Sequence, residues 1–140
     1  MMVVIDASVA TKWFIKESGR EQALKVLDTP VRHAPDLVVA EVANVAWKKA
    51  VRGEITDDHA RFMCASVASY FLVLHRSEAL IARAIEIALR LRHPVYDCLY
   101  LACAERVGGR LITADERLLA ALTDSVASSM AVHIDTFAQE

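Results

Sequence analysis

Four acidic residues stand in apolar company where an unpaired carboxylate is costly: Asp6 after VVI, Glu41 within LVVAEVANVAW, Asp97 within PVYDCLYLACA and Asp115 just after LIT. A buried carboxylate needs a cation or several hydrogen-bond donors. Brought together, the four would repel one another and raise one another's pKa values unless a divalent cation occupied the gap. Oxygen ligands select Mg2+ or Mn2+, and no His or Cys has zinc-ligand spacing, so zinc is disfavoured. Three or four carboxylates hold one or two such ions, and the chemistry they serve is phosphodiester hydrolysis by an activated water.

The elements that must position these acids read as α/β, with short strand-like runs alternating with longer helical patterns. Met2 to Ile5 reads as a strand buried on both faces, ended by Asp6, with Ser8 capping a short helix through Phe14. A second helix is expected from Arg20 to Leu27, and a third, N-capped by Asp36, over LVVAEVANVAWKKAV, with Gly53 stopping it. Glu41 lies mid-helix there, one turn from Asn44, so two polar groups share one face. Thr56 opens TDDHARFMCASVASYF, and Phe71 to Leu74 reads as a second strand.

After Ser77 the segment EALIARAIEIALRLR is amphipathic, with Leu80, Ile81, Ala84, Ile85 and Ala88 on its apolar side. Pro94 opens a helix running to Val107, with Asp97 in its first turn, and Gly108 and Gly109 end it. Arg110 to Thr113 is a strand, Thr113 and Glu116 have capping-box spacing for a helix from Ala114 to Leu122, and Met130 to Ile134 is a last strand. Asp6 and Asp115 then sit at strand carboxyl ends, the usual ligand crevice of a parallel sheet.

Composition bounds the rest. The 140 residues are 55% hydrophobic with only 4 Gly and 3 Pro, which excludes disorder and fits one domain over residues 1–140. Cys64, Cys98 and Cys103 are odd in number and form no CxxC pair, as expected in a reducing cytoplasm. Despite a mean hydropathy of +0.31, the longest stretch without charge or His, Phe62 to Leu74, has 13 residues and is too short to cross a membrane. The opening MMVVIDAS has no basic leader and reads as a core strand.

The net charge of -2 becomes +2 once the four acids are set aside, 16 cations against 14 acids, and 11 of the cations are Arg, suited to phosphate. The five His share no spacing, which leaves a metal-free mechanism with paired His without support. Trp13 and Phe14, close to Asp6, are aromatic candidates for stacking on a base or for the core.

As an ordered set, VVIDASVATKWF, APDLVVAEVANVAWK and HPVYDCLYLACAERVGGRLITADERLL resemble the PIN-domain ribonucleases, specifically the VapC toxins of VapBC toxin–antitoxin modules, over nearly the whole chain. The resemblance implies a three-layer α/β/α sandwich with a short, mainly parallel central sheet. It implies that Asp6, Glu41, Asp97 and Asp115 are the catalytic, metal-binding quartet, with Ser8, Asn44 and Thr113 in support. It further implies an RNA substrate such as a structured tRNA or rRNA, products with 5′-phosphate ends, inhibition by a VapB-type antitoxin, and a homodimer.

Some members carry a further Asp after the fourth acid. Here Glu116 and Arg117 follow, so Glu116 is the available fifth acid and one ion has better support than two. Two other readings compete: a catalytically quiet PIN module that binds RNA or protein, and a Mg2+-dependent phosphotransfer domain. The latter calls for a Lys near a later strand end, and no Lys occurs after Lys49.

Overall fold

Val3, Val4 and Ile5 are all fully buried in strand β1 (Met2–Ile5). Successive strand residues face opposite sides of a sheet, so β1 must be covered on both faces. The structure, a computed structural model describing residues 1–123 and 125–140, meets that demand with a five-stranded sheet in the order β3-β2-β1-β4-β5, β1 at its centre. The other strands are β2 (Val31–Pro35), β3 (Val73–His75), β4 (Arg110–Thr113) and β5 (Ala131–His133). Every pairing is parallel, where the sequence led us to expect a mainly parallel sheet.

The helices are α1 (Ala7–Ala10), α2 (Arg20–Val26), α3 (Leu37–Val51), α4 (Asp57–Ser66), α5 (Ser77–Leu91), α6 (Val95–Val107), α7 (Glu116–Leu122) and α8 (Ile134–Ala138). Helix α6 packs on β1, β2 and β4, and every residue from Cys98 to Ala104 is buried. The chain runs outward from β1 to β2 and β3, then returns through α5 and α6 to β4 on the other side of β1. This reversal leaves a crevice at the carboxyl ends of β1 and β4, the position where open parallel sheets take ligands.

Several expected details differ. Strand β2 reads VRHAP, too polar to show a strand pattern, yet it is held between β1 and β3 while Arg32 donates to the carbonyls of Tyr70, Leu27 and Thr29. The strand expected at Phe71 to Leu74 lies at Val73–His75, and the last strand ends at His133, whose ring caps the unforeseen α8. Asp6, not Ser8, caps α1 by accepting from Val9 N, and that helix gives way to a 3₁₀ turn over Thr11–Trp13. Asp36 occupies the first position before α3 but gives its carboxylate to Ser77 N and Oγ, tying α3 to α5. Asp115 caps α7 in place of a capping box of Thr113 and Glu116. On α5, Leu80, Ala84 and Ala88 are buried as expected, but Ile81 and Ile85 are exposed.

Gly108 ends α6 with φ of 67°, and Gly109 then passes so close to β1 that an added Cβ would lie 2.4 Å from the Met2 carbonyl oxygen. That neighbour is backbone of the central strand and cannot turn aside. Gly109→Ala is therefore expected to destabilise the protein by about 3 kcal/mol in urea unfolding, with Gly108→Asn as a milder comparison. A loss under about 0.5 kcal/mol would mean that β1 and the α6–β4 turn separate freely.

Candidate active site

Asp6 emerges where β1 ends. Ile5 pairs with Ile112, which places Asp6 beside the end of β4. Its side chain is almost wholly buried and surrounded by donors: Ser8 Oγ at 2.6 Å and Val9 N at 3.3 Å to one oxygen, Thr113 Oγ1 to the other. Burial nonetheless dominates, and together with the charge of Asp97 it pushes Asp6 up to about 7 against the lowering effect of these bonds. Ser8 Oγ also accepts from Ala114 N at 2.9 Å, and Thr113 Oγ1 from Asp115 N at 2.9 Å, so both hydroxyls bridge the ends of β1 and β4.

Each of the other acids has its own holder. Asp115 accepts from Arg117 N and Leu118 N at 2.9 and 3.1 Å, both on Oδ1, and this capping fixes that oxygen at the start of α7. Glu41, half-buried on α3, accepts from the Tyr100 hydroxyl; burial first and the Asp97 charge second raise its pKa, while Tyr100 lowers it. Asp97 bonds His93 Nε2 at 2.6 Å.

Asp6, Glu41, Asp97 and Asp115, from four separate segments, line one cleft of about 570 Å3 with Ser8, Asn44 and Tyr100. Thr113 backs the cleft through Asp6. Glu116 is exposed on α7 and is not among the lining residues.

Among the described residues, no three His, Cys, Asp or Glu side chains are gathered closely enough to hold an ion as they stand. Each carboxylate is turned to a protein donor instead. The donor set nevertheless fits a hard divalent cation: the cleft's ionisable lining is four carboxylates and two tyrosines, with no imidazole or thiolate, and Asp97 raises the pKa of both Asp6 and Glu41. A cation would relieve that repulsion.

His93 and Tyr100 were not singled out by the sequence reading. Their signal is the spacing His93, Asp97, Tyr100, at four and then three residues, which aligns them along one helical face. Histidines do pair elsewhere: His33 Nδ1 and His75 Nε2 lie 2.8 Å apart across β2 and β3, outside the cleft lining. Trp13 and Phe14 are core residues, 4% and 8% exposed, with Trp13 Nε1 bonded to Ala23 O. Arg83 and Arg110 are engaged by Glu105 and Glu140 at the surface.

Comparison with known proteins identifies the family. The PIN domain family matches residues 3–122. Ribonuclease VapC3 of Pyrobaculum aerophilum is 36% identical over 121 residues, spanning 84% of this chain and 92% of that protein. Ribonuclease VapC1 of Mycobacterium tuberculosis is 32% identical over 121 residues, spanning 84% and 89%. In fold, the crystal structure of PAE2754 from Pyrobaculum aerophilum superposes with a TM-score of 0.74 over 99% of this chain and 95% of that one, at 23% identity. On a family match over most of its length and two such relatives, the chain belongs to the PIN-domain family, in its VapC branch.

Proposed function

We propose that this protein, a single PIN domain over residues 1–140, is a metal-dependent endoribonuclease and the toxin of a type II toxin–antitoxin module. The observation that carries the reading is the cleft at the β1/β4 reversal, where Asp6, Glu41, Asp97 and Asp115 meet from four segments. These four would hold Mg2+ or Mn2+ once turned from their protein donors toward a shared ion. When bound, the ion supplies the Lewis acidity that makes a water nucleophilic near neutral pH and offsets charge on the phosphate.

The protein's own part is positioning. Ser8 and Thr113 fix both oxygens of Asp6, Tyr100 fixes Glu41, His93 fixes Asp97, and the first turn of α7 fixes Asp115. Asn44, exposed one turn beyond Glu41, adds a neutral polar group facing the same space. With Glu116 outside the lining, the reading carries one ion in preference to two. RNA, in the form of a structured tRNA or rRNA, is the substrate. A VapB-type antitoxin is the inhibitor, a homodimer the working form and the cytoplasm the setting. Among the described residues no helix is long and apolar enough to cross a membrane.

The test is incubation of antitoxin-free protein with end-labelled tRNA and rRNA fragments in Mg2+, Mn2+ or EDTA. Metal-dependent cuts leaving 5′-phosphate ends are expected. Cutting that persists in EDTA, or products with 2′,3′-cyclic phosphates, would overturn the water-attack mechanism.

A further inference from the structure

The three tyrosines of this chain have different situations. Tyr70 stacks on Trp13, Tyr100 is buried against Glu41, and Tyr96 is 62% exposed and takes no part in the ring contacts or hydrogen bonds of the described residues. Leaving an aromatic ring in water forgoes the burial that such side chains usually provide. Tyr96 is also not at an arbitrary surface point. It precedes Asp97 in the first turn of α6 and lines the same cleft as the four acids. The helix that carries it is packed on β1, β2 and β4, so the ring is presented from a rigid element.

The cleft has an apolar side as well as an acidic one. Leu37, Ala40 and Val45 of α3 line it together with Tyr96. An acid-lined cleft repels phosphate unless a cation intervenes, but it offers no such opposition to the neutral face of a nucleobase. Every base has such a face and stacks on an exposed aromatic ring without regard to its hydrogen-bonding edge.

We infer that Tyr96 is a stacking platform for the base of a nucleotide adjacent to the scissile phosphate, with the α3 residues Leu37, Ala40 and Val45 bounding the other side of that base. The inference rests on the ribonuclease reading above and assigns the cleft a base subsite beside its acids. It predicts that bases enter unpaired, since a base within a duplex has no free face.

The test uses full-length wild-type, Tyr96→Phe and Tyr96→Ala proteins. Binding of a short, mixed-sequence, fluorescein-labelled single-stranded RNA is followed by anisotropy with Ca2+ in place of Mg2+, and KM and kcat for the same RNA are measured in Mg2+. Tyr96→Ala is expected to weaken binding and raise KM about tenfold with kcat within about twofold, and Tyr96→Phe to stay near wild type. Removing one base next to the cut, by an abasic substitution, costs the wild type a similar factor and costs Tyr96→Ala nothing more.

Unchanged affinity in Tyr96→Ala, or losses from the two changes that multiply, would overturn the inference while cleavage by the wild type left the nuclease standing. A Tyr96→Ala protein that keeps its RNA affinity but loses that for an antitoxin would overturn it in favour of a protein contact. Failure of the wild type to bind this RNA would overturn the base subsite while cleavage of the tRNA or rRNA fragments kept the ribonuclease reading; failure to cut any of these RNAs in Mg2+ or Mn2+ would remove that reading, and the base subsite with it.

Discussion

Replacing Asp97 by Asn is expected to lower RNA cleavage at least about a thousandfold, equivalent to about 4 kcal/mol of transition-state stabilisation. The substitution keeps the shape of the side chain and an oxygen for His93 Nε2, whose ring is mostly buried beside it. It removes the charge that Asp6 and Glu41 both register through their pKa values. Fold and function are therefore separable: circular dichroism and the urea midpoint stay near wild type while kcat collapses. Asp6→Asn is expected to be equally inactive. Alanine in place of Asp97 would also strand His93, which makes Asn the cleaner probe. Cleavage within tenfold of wild type in both Asn variants would remove the acid quartet as the catalytic group.

The sequence showed these four acids because each broke the local pattern of its element. Asp6 interrupts a β-branched run, Glu41 interrupts an apolar helix, and Asp97 and Asp115 stand at helix starts. Helices α3, α5 and α6 were legible from periodicity and from Gly and Pro at their ends, and β1 and β4 from short apolar runs. What could not be read was pairing across the fold. The strand character of VRHAP comes from its neighbours on both sides, because its own residues carry little β signal. Thr56 caps α4 as its position before that helix suggests, but the capping expected of Asp36, Ser8 and Thr113 failed for a related reason. Asp36, a good cap by type, bonds across to Ser77 41 residues away, and Ser8 and Thr113 bond to Asp6 and to each other's segments instead of capping helices.

The residues that hold the acids were the least visible. In the sequence His93 is one of five histidines without shared spacing and Tyr100 carries no signal of its own, since the groups that give them a role lie on other turns or other elements. The aromatic residues next to Asp6 in sequence are candidates for base contact, yet Trp13 and Phe14 are in the core, and of the two tyrosines lining the cleft Tyr96 is the exposed one. Proximity along the chain is a poor guide here. Element order places the acids; side-chain exposure, which the sequence does not contain, decides what surrounds them.

Metal-free protein is expected to be less stable at pH 8 than at pH 5 by an amount traceable to Asp6. Its pKa rises from 3.8 to about 7 on folding, chiefly because burial penalises the carboxylate. A raised acid favours the folded state fully below about pH 4, and that contribution is lost as pH climbs to about 7. Ionised Asp6 then costs the fold on the order of 3–4 kcal/mol. Glu41, also raised, adds in the same direction. His33 and His75 act oppositely: burial lowers both, so their contribution is present above about pH 6.5 and is lost as pH falls. The difference between wild type and Asp6→Asn isolates the carboxylate from these histidines. In urea titrations with EDTA, Asp6→Asn should gain on wild type as pH rises from 5, most steeply between about 5 and 6.5, with the gain levelling off above about 7 as folded Asp6 ionises. Mn2+ at pH 8 should then stabilise wild type more than Asp6→Asn, because the variant keeps three of the four carboxylates but lacks the buried charge whose penalty the ion would relieve. Parallel pH profiles for the two proteins in EDTA would mean that Asp6 ionises in the fold without penalty, and the cleft would have no electrostatic reason to take up a cation.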